Sequence, residues 1–118
     1  MSKILWVWLP LVAGSVAAAD VKSDALALAK SEGGVRDVVR QCWESAPSER
    51  AKLKKMSADY MGRLSLATGV AAVELNAALE AGAAAAVAKG KLSADQCKKA
   101  RELMPKMLEE RGKKVAGA

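Results

Sequence analysis

The sequence predicts an all-α fold, a small bundle of four to five helices linked by one disulfide after a cleaved N-terminal signal peptide. Three observations carry this prediction. The first 19 residues follow the three-part pattern of an export signal. The rest of the chain places apolar residues at helical spacing and shows no alternating β pattern. Cys42 and Cys97 are its only cysteines.

Residues 1–19, MSKILWVWLPLVAGSVAAA, are predicted to be a signal peptide. Lys3 supplies the positive start, an apolar run follows, and Ala17–Ala19 form an Ala-x-Ala cleavage site before Asp20. The alternative is a retained membrane anchor, but an apolar stretch of about 16 residues is short for a bilayer span, which needs about 20. We therefore expect a periplasmic or secreted protein with no transmembrane span in its mature form.

Residues 20–111 are predicted to form one helical domain, and residues 112–118 a flexible C-terminal tail with little to bury. Gly33-Gly34 is expected to end the first helix, and Pro105 to kink or divide the last one. The helices predicted from spacing and from these breaks cover about 21–32, 35–45, 49–67, 70–89 and the segment from Ser93 onward.

Cys42 and Cys97 are expected to form a structural disulfide between the second and fifth predicted helices, because an even number of cysteines in a small exported domain indicates cross-linking. Closing a loop of about 55 residues contributes roughly 4 kcal/mol in the chain-entropy model. The alternatives are free or intermolecular thiols, a redox dithiol, or a metal pair. A redox pair usually lies close together in sequence.

The predicted core is thin, because alanine is abundant and the segment after the signal has only two aromatic residues, Trp43 and Tyr60. Trp43 is expected to be buried or half-buried against Leu53, Met56 or Tyr60. A four-residue repeat of small side chains in the fourth predicted helix is expected to let a neighbouring helix approach closely. Its members are Ala78, Gly82, Ala86 and Gly90.

Positive charge is concentrated early in the third predicted helix, at Arg50, Lys52, Lys54 and Lys55. Exposed cations steer association with acidic surfaces. These four residues are therefore the predicted contact surface for a partner, expected to be another protein. An acidic protein fits the charge, as would anionic lipid or polysaccharide, and the remaining alternative is a solvated face without a binding role. Nucleic acid is not expected as a partner, because the basic residues are spread out and few aromatic side chains offer stacking platforms.

The composition argues against most catalytic chemistries. The chain has 19 lysines and arginines, 13 aspartates and glutamates, a formal charge of +6 and no histidine. Without histidine, the commonest general base and metal ligand are both missing. No catalytic residue, metal site or cofactor is predicted, and Glu74 and Glu80 are interpreted as solvent-facing.

The leading hypothesis is an exported helical protein-binding module without catalytic activity, of the inhibitor, immunity, assembly-factor or small-chaperone type. One alternative is a periplasmic metal- or stress-responsive protein that uses its methionines, since thioethers bind Cu(I). Met104 and Met107 carry that hypothesis through their M-x-x-M spacing. Another alternative is a small all-helical enzyme that uses Arg, Lys and Glu, for which a cleft lined by Arg and Glu would be the mark.

The segment Leu92–Gln96, LSADQ, resembles the L-T-x-x-Q motif of small helical periplasmic stress proteins of the Spy and CpxP kind. The general layout, exported and helical with one disulfide, is similar to that of acid-stress chaperones of the HdeA kind. A capping box with a hydrophobic staple also produces the LSADQ pattern, because Ser93 and Gln96 are three residues apart. No family is assigned from these likenesses.

Overall fold

The computed structural model describes the backbone of residues 13–117 and the side chains of residues 20–113. This part of the chain forms four helices and contains no strand, which confirms the all-α prediction. The helices are α1 (Ala13–Cys42), α2 (Pro47–Thr68), α3 (Ala72–Ala88) and α4 (Ala94–Gly117). The predicted signal peptide lies largely outside the described residues: only the backbone of 13–19 is described, as part of α1.

Helix α1 runs without interruption through Gly33-Gly34, so the predicted break at this pair is wrong. The reason is a close crossing with α3. A Cβ atom on Gly33 would lie 2.0 Å from the carbonyl oxygen of Leu79, and one on Gly82 would meet the backbone of Lys30. Glycine is needed here for close helix contact and not as a helix terminator, and the small-residue repeat of α3 does permit the expected approach at Gly82.

The helix ends follow local sequence signals. Pro47 opens α2, where its missing N–H is harmless. Gly69 ends α2 in the left-handed region at φ 76°, a conformation that glycine adopts without strain. The capping box before α4 is confirmed: Ser93 Oγ accepts from the Gln96 N–H at 3.1 Å, and Gln96 Oε1 accepts from the Ser93 N–H at 2.8 Å.

The buried residues form two apolar clusters along a molecule that measures 53 × 27 × 24 Å. The first joins α1, α2 and α3, the second joins α1, α2 and α4, and α1 packs most extensively against α3. The first contains Ala25, Ala29, Tyr60, Met61, Leu64, Val70, Leu75 and Leu79. The second contains Val39, Cys42, Trp43, Leu53 and Leu108.

Trp43 is 1% exposed and shares the second cluster with Leu53 and the half-buried Met56, as predicted, whereas Tyr60 belongs to the first. The Cys42–Cys97 disulfide is confirmed in the same region. It joins the end of α1 to the start of α4 with a Cα–Cα distance of 5.0 Å.

Pro105 lies inside α4 and does not divide it. The helical backbone continues to Gly117, through most of the segment that was predicted to be a tail from residue 112; the flexibility of that segment stays a prediction. None of the helices in the described part of the chain has both the length and the apolar character needed to cross a bilayer.

Candidate functional site

A groove of about 630 Å³ lies between the second half of α1 and the first half of α2. Its floor is apolar: Val39 and Leu53 are buried and Val35 is half-buried. Its walls carry four cations, two from each helix, and no acidic side chain is among the residues that line it. We call this site the basic groove, and its cations are Arg36, Arg40, Arg50 and Lys54.

Helical spacing explains why these four side chains line one groove. Arg36 and Arg40 are four residues apart on α1, and Arg50 and Lys54 are four residues apart on α2. Residues at this spacing lie on the same face of a helix. The packing of α1 against α2 places the two pairs along one groove.

The structure divides the predicted contact surface. Arg50 and Lys54 line the basic groove, whereas Lys52 and Lys55 are exposed on other faces of α2. Each residue turns a helix by about 100°, so neighbours in sequence separate in space. Lys55 pairs instead with Asp59 at 3.2 Å.

Arg36 and Arg40 are the cations that the sequence analysis missed. Their signal was present in the sequence, as two arginines four apart beside the apolar stripe of Val35, Val38 and Val39. The predicted contact surface depends on the local density of basic residues, and α1 has no such density. The pairing of α1 with α2 gives these arginines their place in the groove.

The four cations differ in the contacts they make. Arg40 donates from Nε and NH2 to Asp37 Oδ1, at 3.0 and 2.6 Å. Arg50 NH1 reaches the Glu44 carbonyl oxygen at only 3.4 Å. Within the described residues, no ion pair involves Arg36, Arg50 or Lys54. Most of the positive charge of the groove is therefore uncompensated by nearby carboxylates.

A buried polar network lies behind the groove. Arg36 Nε donates to Ser57 Oγ at 2.7 Å, and that hydroxyl donates to Glu32 Oε2. Arg111 of α4 donates to both Glu32 oxygens, at 3.0 Å to Oε2, and lies 3.7 Å from the centroid of the Tyr60 ring. Glu32 is 1% and Ser57 is 2% exposed, so a single carboxylate ties three helices together.

One carboxyl group, that of Asp37, and one phenol, that of Tyr60, have shifted pKa values in this region. Burial raises the pKa of Asp37, but hydrogen bonds from Arg40 and Gln41 outweigh it, so that pKa is lowered from its ordinary value. Burial raises the pKa of Tyr60, with Arg111 opposing the shift. The cleft of converging Arg and Glu that the enzyme hypothesis requires is not the basic groove, since Glu32 is buried behind it.

Three of the four described methionines contact the interior. Met61 is buried in the first cluster, and the half-buried Met56 and Met104 pack against the second. Met104 and Met107 line one shallow groove on α4, beside the exposed Leu103. Within the described residues, no group of three or more His, Cys, Asp or Glu side chains is placed to hold a metal ion.

Glu74 and Glu80 are both exposed, as interpreted from the sequence, and Glu74 pairs with Lys22 at 3.2 Å. The two carboxylates therefore lie on the solvent side of α3.

The chemistry of the basic groove is that of a binding site for an anion with an apolar part. Its cations offer hydrogen bonds and charge to carboxylate or phosphate, and its floor offers contact to an aliphatic group. Comparison of the chain with protein-family models, with curated proteins and with solved structures finds no match.

Proposed function

We propose that this protein is an exported, non-catalytic binding module that takes an acidic, partly apolar segment of another protein in the basic groove. The observation that carries the proposal is the composition of the groove. Four cations from two helices surround an apolar floor, and the lining contains no carboxylate to neutralise them.

The floor and the walls have different energetic roles. Burying one leucine or valine side chain contributes roughly 1.5–3 kcal/mol, whereas an exposed ion pair contributes about 0–1 kcal/mol. The apolar contact therefore supplies most of the affinity. The cations steer the acidic partner and reject basic ones, because electrostatic complementarity acts mainly on the association rate and on specificity.

The test is capture of a partner from the cell envelope with three baits: the wild type, Arg50→Glu/Lys54→Glu and Lys52→Glu/Lys55→Glu. Both double variants change the net charge equally and lie on the same helix, but only the first changes the groove. We expect an acidic protein that the wild type and the Lys52/Lys55 control retain and the groove variant loses. Circular dichroism checks that all three baits are folded.

The captured protein is then titrated at salt concentrations from about 50 to 300 mM, across which the Debye length falls by more than half. Affinity for the wild type should fall as salt rises, and the association rate should fall most. A partner whose affinity is indifferent both to salt and to the groove substitutions overturns the proposal.

Export is proposed on the pattern of residues 1–19, and the Cys42–Cys97 disulfide supports a non-cytoplasmic environment. The full chain, expressed in a bacterial host, should yield a mature form that begins at Asp20. Intact mass and N-terminal sequencing of the envelope fraction measure this. A full-length chain in the cytoplasm with two reactive thiols would contradict export.

The methionine alternative retains one specific observation, the shared groove of Met104 and Met107. Two thioethers on one face favour Cu(I) over harder metals. Native mass spectrometry with Cu(I) compares the wild type with Met104→Leu/Met107→Leu, and with Met56→Leu as the control. One tightly held copper, lost only in the double variant, would favour this function over protein binding.

A further inference from the structure

We infer that Arg36 selects the ligand of the basic groove, by taking a carboxylate that lies next to an apolar side chain of the partner. The inference rests on the proposed function and deepens it: it names the residue that recognises the acidic segment and the chemical unit that it recognises.

Arg36 is the only one of the four groove cations that a buried, uncharged side chain holds at Nε alone, because Arg40 uses both Nε and NH2 on the buried carboxylate of Asp37. Arg36 is half-buried, and its Nε donates to Ser57 Oγ at 2.7 Å. The structure records no partner within the described residues for its two terminal nitrogens. An arginine held at Nε keeps those nitrogens available for the two oxygens of a carboxylate.

The anchor itself is rigid. The Ser57 hydroxyl donates to Glu32, and both Glu32 oxygens accept from Arg111. Because Glu32 and Ser57 are almost fully buried, water has little access with which to compete for these bonds. The series of hydrogen bonds from Arg111 of α4 through Glu32 of α1 and Ser57 of α2 thus fixes the Nε of Arg36 before a ligand binds. Less side-chain entropy is therefore lost on binding.

The other groove cations are less suited to this role. Arg40 is engaged by Asp37, and Arg50 makes only a long contact to a backbone oxygen. Lys54 is exposed, and a lysine ammonium on its flexible stem has no fixed fork for a carboxylate. These three residues supply a general positive potential, whereas Arg36 supplies a guanidinium in a fixed orientation for the carboxylate.

The apolar half of the ligand follows from the floor. Val35 precedes Arg36 in sequence and lines the groove with Val39 and Leu53. A leucine or valine seated there places an adjacent glutamate or aspartate near the guanidinium. Arg36 also borders a second depression, of about 280 Å³, formed with Ala72 and Asn76, so the test must locate the bound ligand.

The probe is a capped, fluorescein-labelled peptide of sequence ALEELALEEL, in which leucines adjoin glutamates. The matched control, ALQQLALQQL, keeps the shape and the leucines but carries no carboxylate. Anisotropy measures both affinities, and the ratio between them is the selectivity. Amide spectra of the nitrogen-15-labelled protein locate the bound peptide. Sodium dodecanoate is the competing lipid-type ligand.

We expect the wild type to prefer the glutamate peptide by about ten-fold or more, with shifts at Val35, Val39 and Leu53. Arg36→Lys keeps the charge but loses the fork, so most of this preference should disappear while affinity for the glutamine peptide stays unchanged. Ser57→Ala should do the same, because it releases the guanidinium. Lys52→Gln, outside the groove, should leave the selectivity as it is.

Selectivity separates positioning from simple loss of structure, because an unfolding variant weakens both peptides together. If Ser57→Ala does not fold, Arg36→Lys carries the test, since lysine there leaves the Ser57–Glu32 hydrogen bond in place. In Arg36→Lys, the hydrogen bonds from Ser57 and Arg111 to Glu32 therefore stay in place.

The outcomes distinguish this inference from the proposed function. If Arg50→Glu/Lys54→Glu abolishes the preference and Arg36→Lys keeps it, the proposed function stands and the role of Arg36 is overturned. If the wild type shows no preference, or the shifts centre on Ala72 and Asn76, both fall. If dodecanoate binds more tightly than the glutamate peptide, the groove takes a lipid-type anion and both are overturned.

Discussion

Gly33 of α1 and Gly82 of α3 lie against each other's helices at a crossing where neither has room for a side chain. A Cβ on Gly33 would approach the backbone of Leu79, Gly82 and Ala83, and a Cβ on Gly82 would approach the backbone of Lys30. Backbone atoms cannot move aside as flexible side chains do. The two glycines therefore set the distance between the helices that pack most extensively in the molecule.

Gly33→Ala should destabilise the protein by roughly 3 kcal/mol, the upper end of the usual range for overpacking, because two helices must separate. The adjacent Gly34→Ala is the matched control. Nothing lies within 4 Å of a Cβ at Gly34, so helix propensity should make this variant more stable by up to about 1 kcal/mol. Urea unfolding measures both. If Gly33→Ala raised the free energy of unfolding as Gly34→Ala is expected to, the result would be incompatible with the close crossing.

Removal of the disulfide, in Cys42→Ala/Cys97→Ala, should lower the free energy of unfolding by roughly 4 kcal/mol. The loop that it closes spans a sequence separation of 55 residues, and the core that it joins is small. Urea unfolding of the wild type with and without reductant gives the same comparison without mutation. A variant as stable as the oxidised wild type would contradict a stabilising role, and the variant itself should not respond to reductant.

Trp43→Ala should cost about 3–5 kcal/mol, because a fully buried indole leaves a large cavity in the second cluster. Leu66 serves as the control, since it is 87% exposed and its replacement by alanine should change stability by less than about 0.5 kcal/mol. Thermal and urea unfolding with a fluorescence-independent probe, such as circular dichroism, measure both variants. A silent Trp43→Ala would mean that the indole is not part of the core.

Asp37 should make the free energy of unfolding depend on pH in the acid range. Its pKa is lowered from 3.8 in the folded state, so the folded state favours the charged carboxylate. The resulting stabilisation is complete above that value and is lost as the pH falls through the lowered folded pKa. Asp37→Asn removes this dependence while keeping an acceptor for Gln41. The stability gap between the wild type and Asp37→Asn should therefore shrink between about pH 5 and pH 2.

The measurement for Asp37 is the urea midpoint of both proteins across that acid range. Asp59→Asn supplies the control, because the ion pair of Asp59 with Lys55 is exposed and such a pair contributes little to stability. A gap between the wild type and Asp37→Asn that widens towards acid would contradict the direction of the shift.

Part of the candidate site was predictable from sequence. Arg50 and Lys54 are two of the four basic residues of the predicted contact surface, and their shared face follows from helix geometry because they are four residues apart. Arg36 and the network through Ser57 and Glu32 were not predicted. The three residues come from α1 and α2, separated by up to 25 positions, and their contacts exist only once the helices pack. The residues around Ser57 and Glu32 in the sequence do not indicate that these two polar side chains are buried.

The sequence by itself determined the helical class, the capping box at Ser93, the inward face that holds Trp43 and the pairing of the two cysteines. Each of these features depends on composition or on local residue spacing, and the spacing fixes which face of a helix is apolar and where the helix begins or ends. Only the tertiary structure decided that α1 continues through Gly33-Gly34 and that Arg36 faces a groove. Those outcomes depend on which helix lies opposite, because glycine breaks an isolated helix but permits a close crossing once a partner covers it.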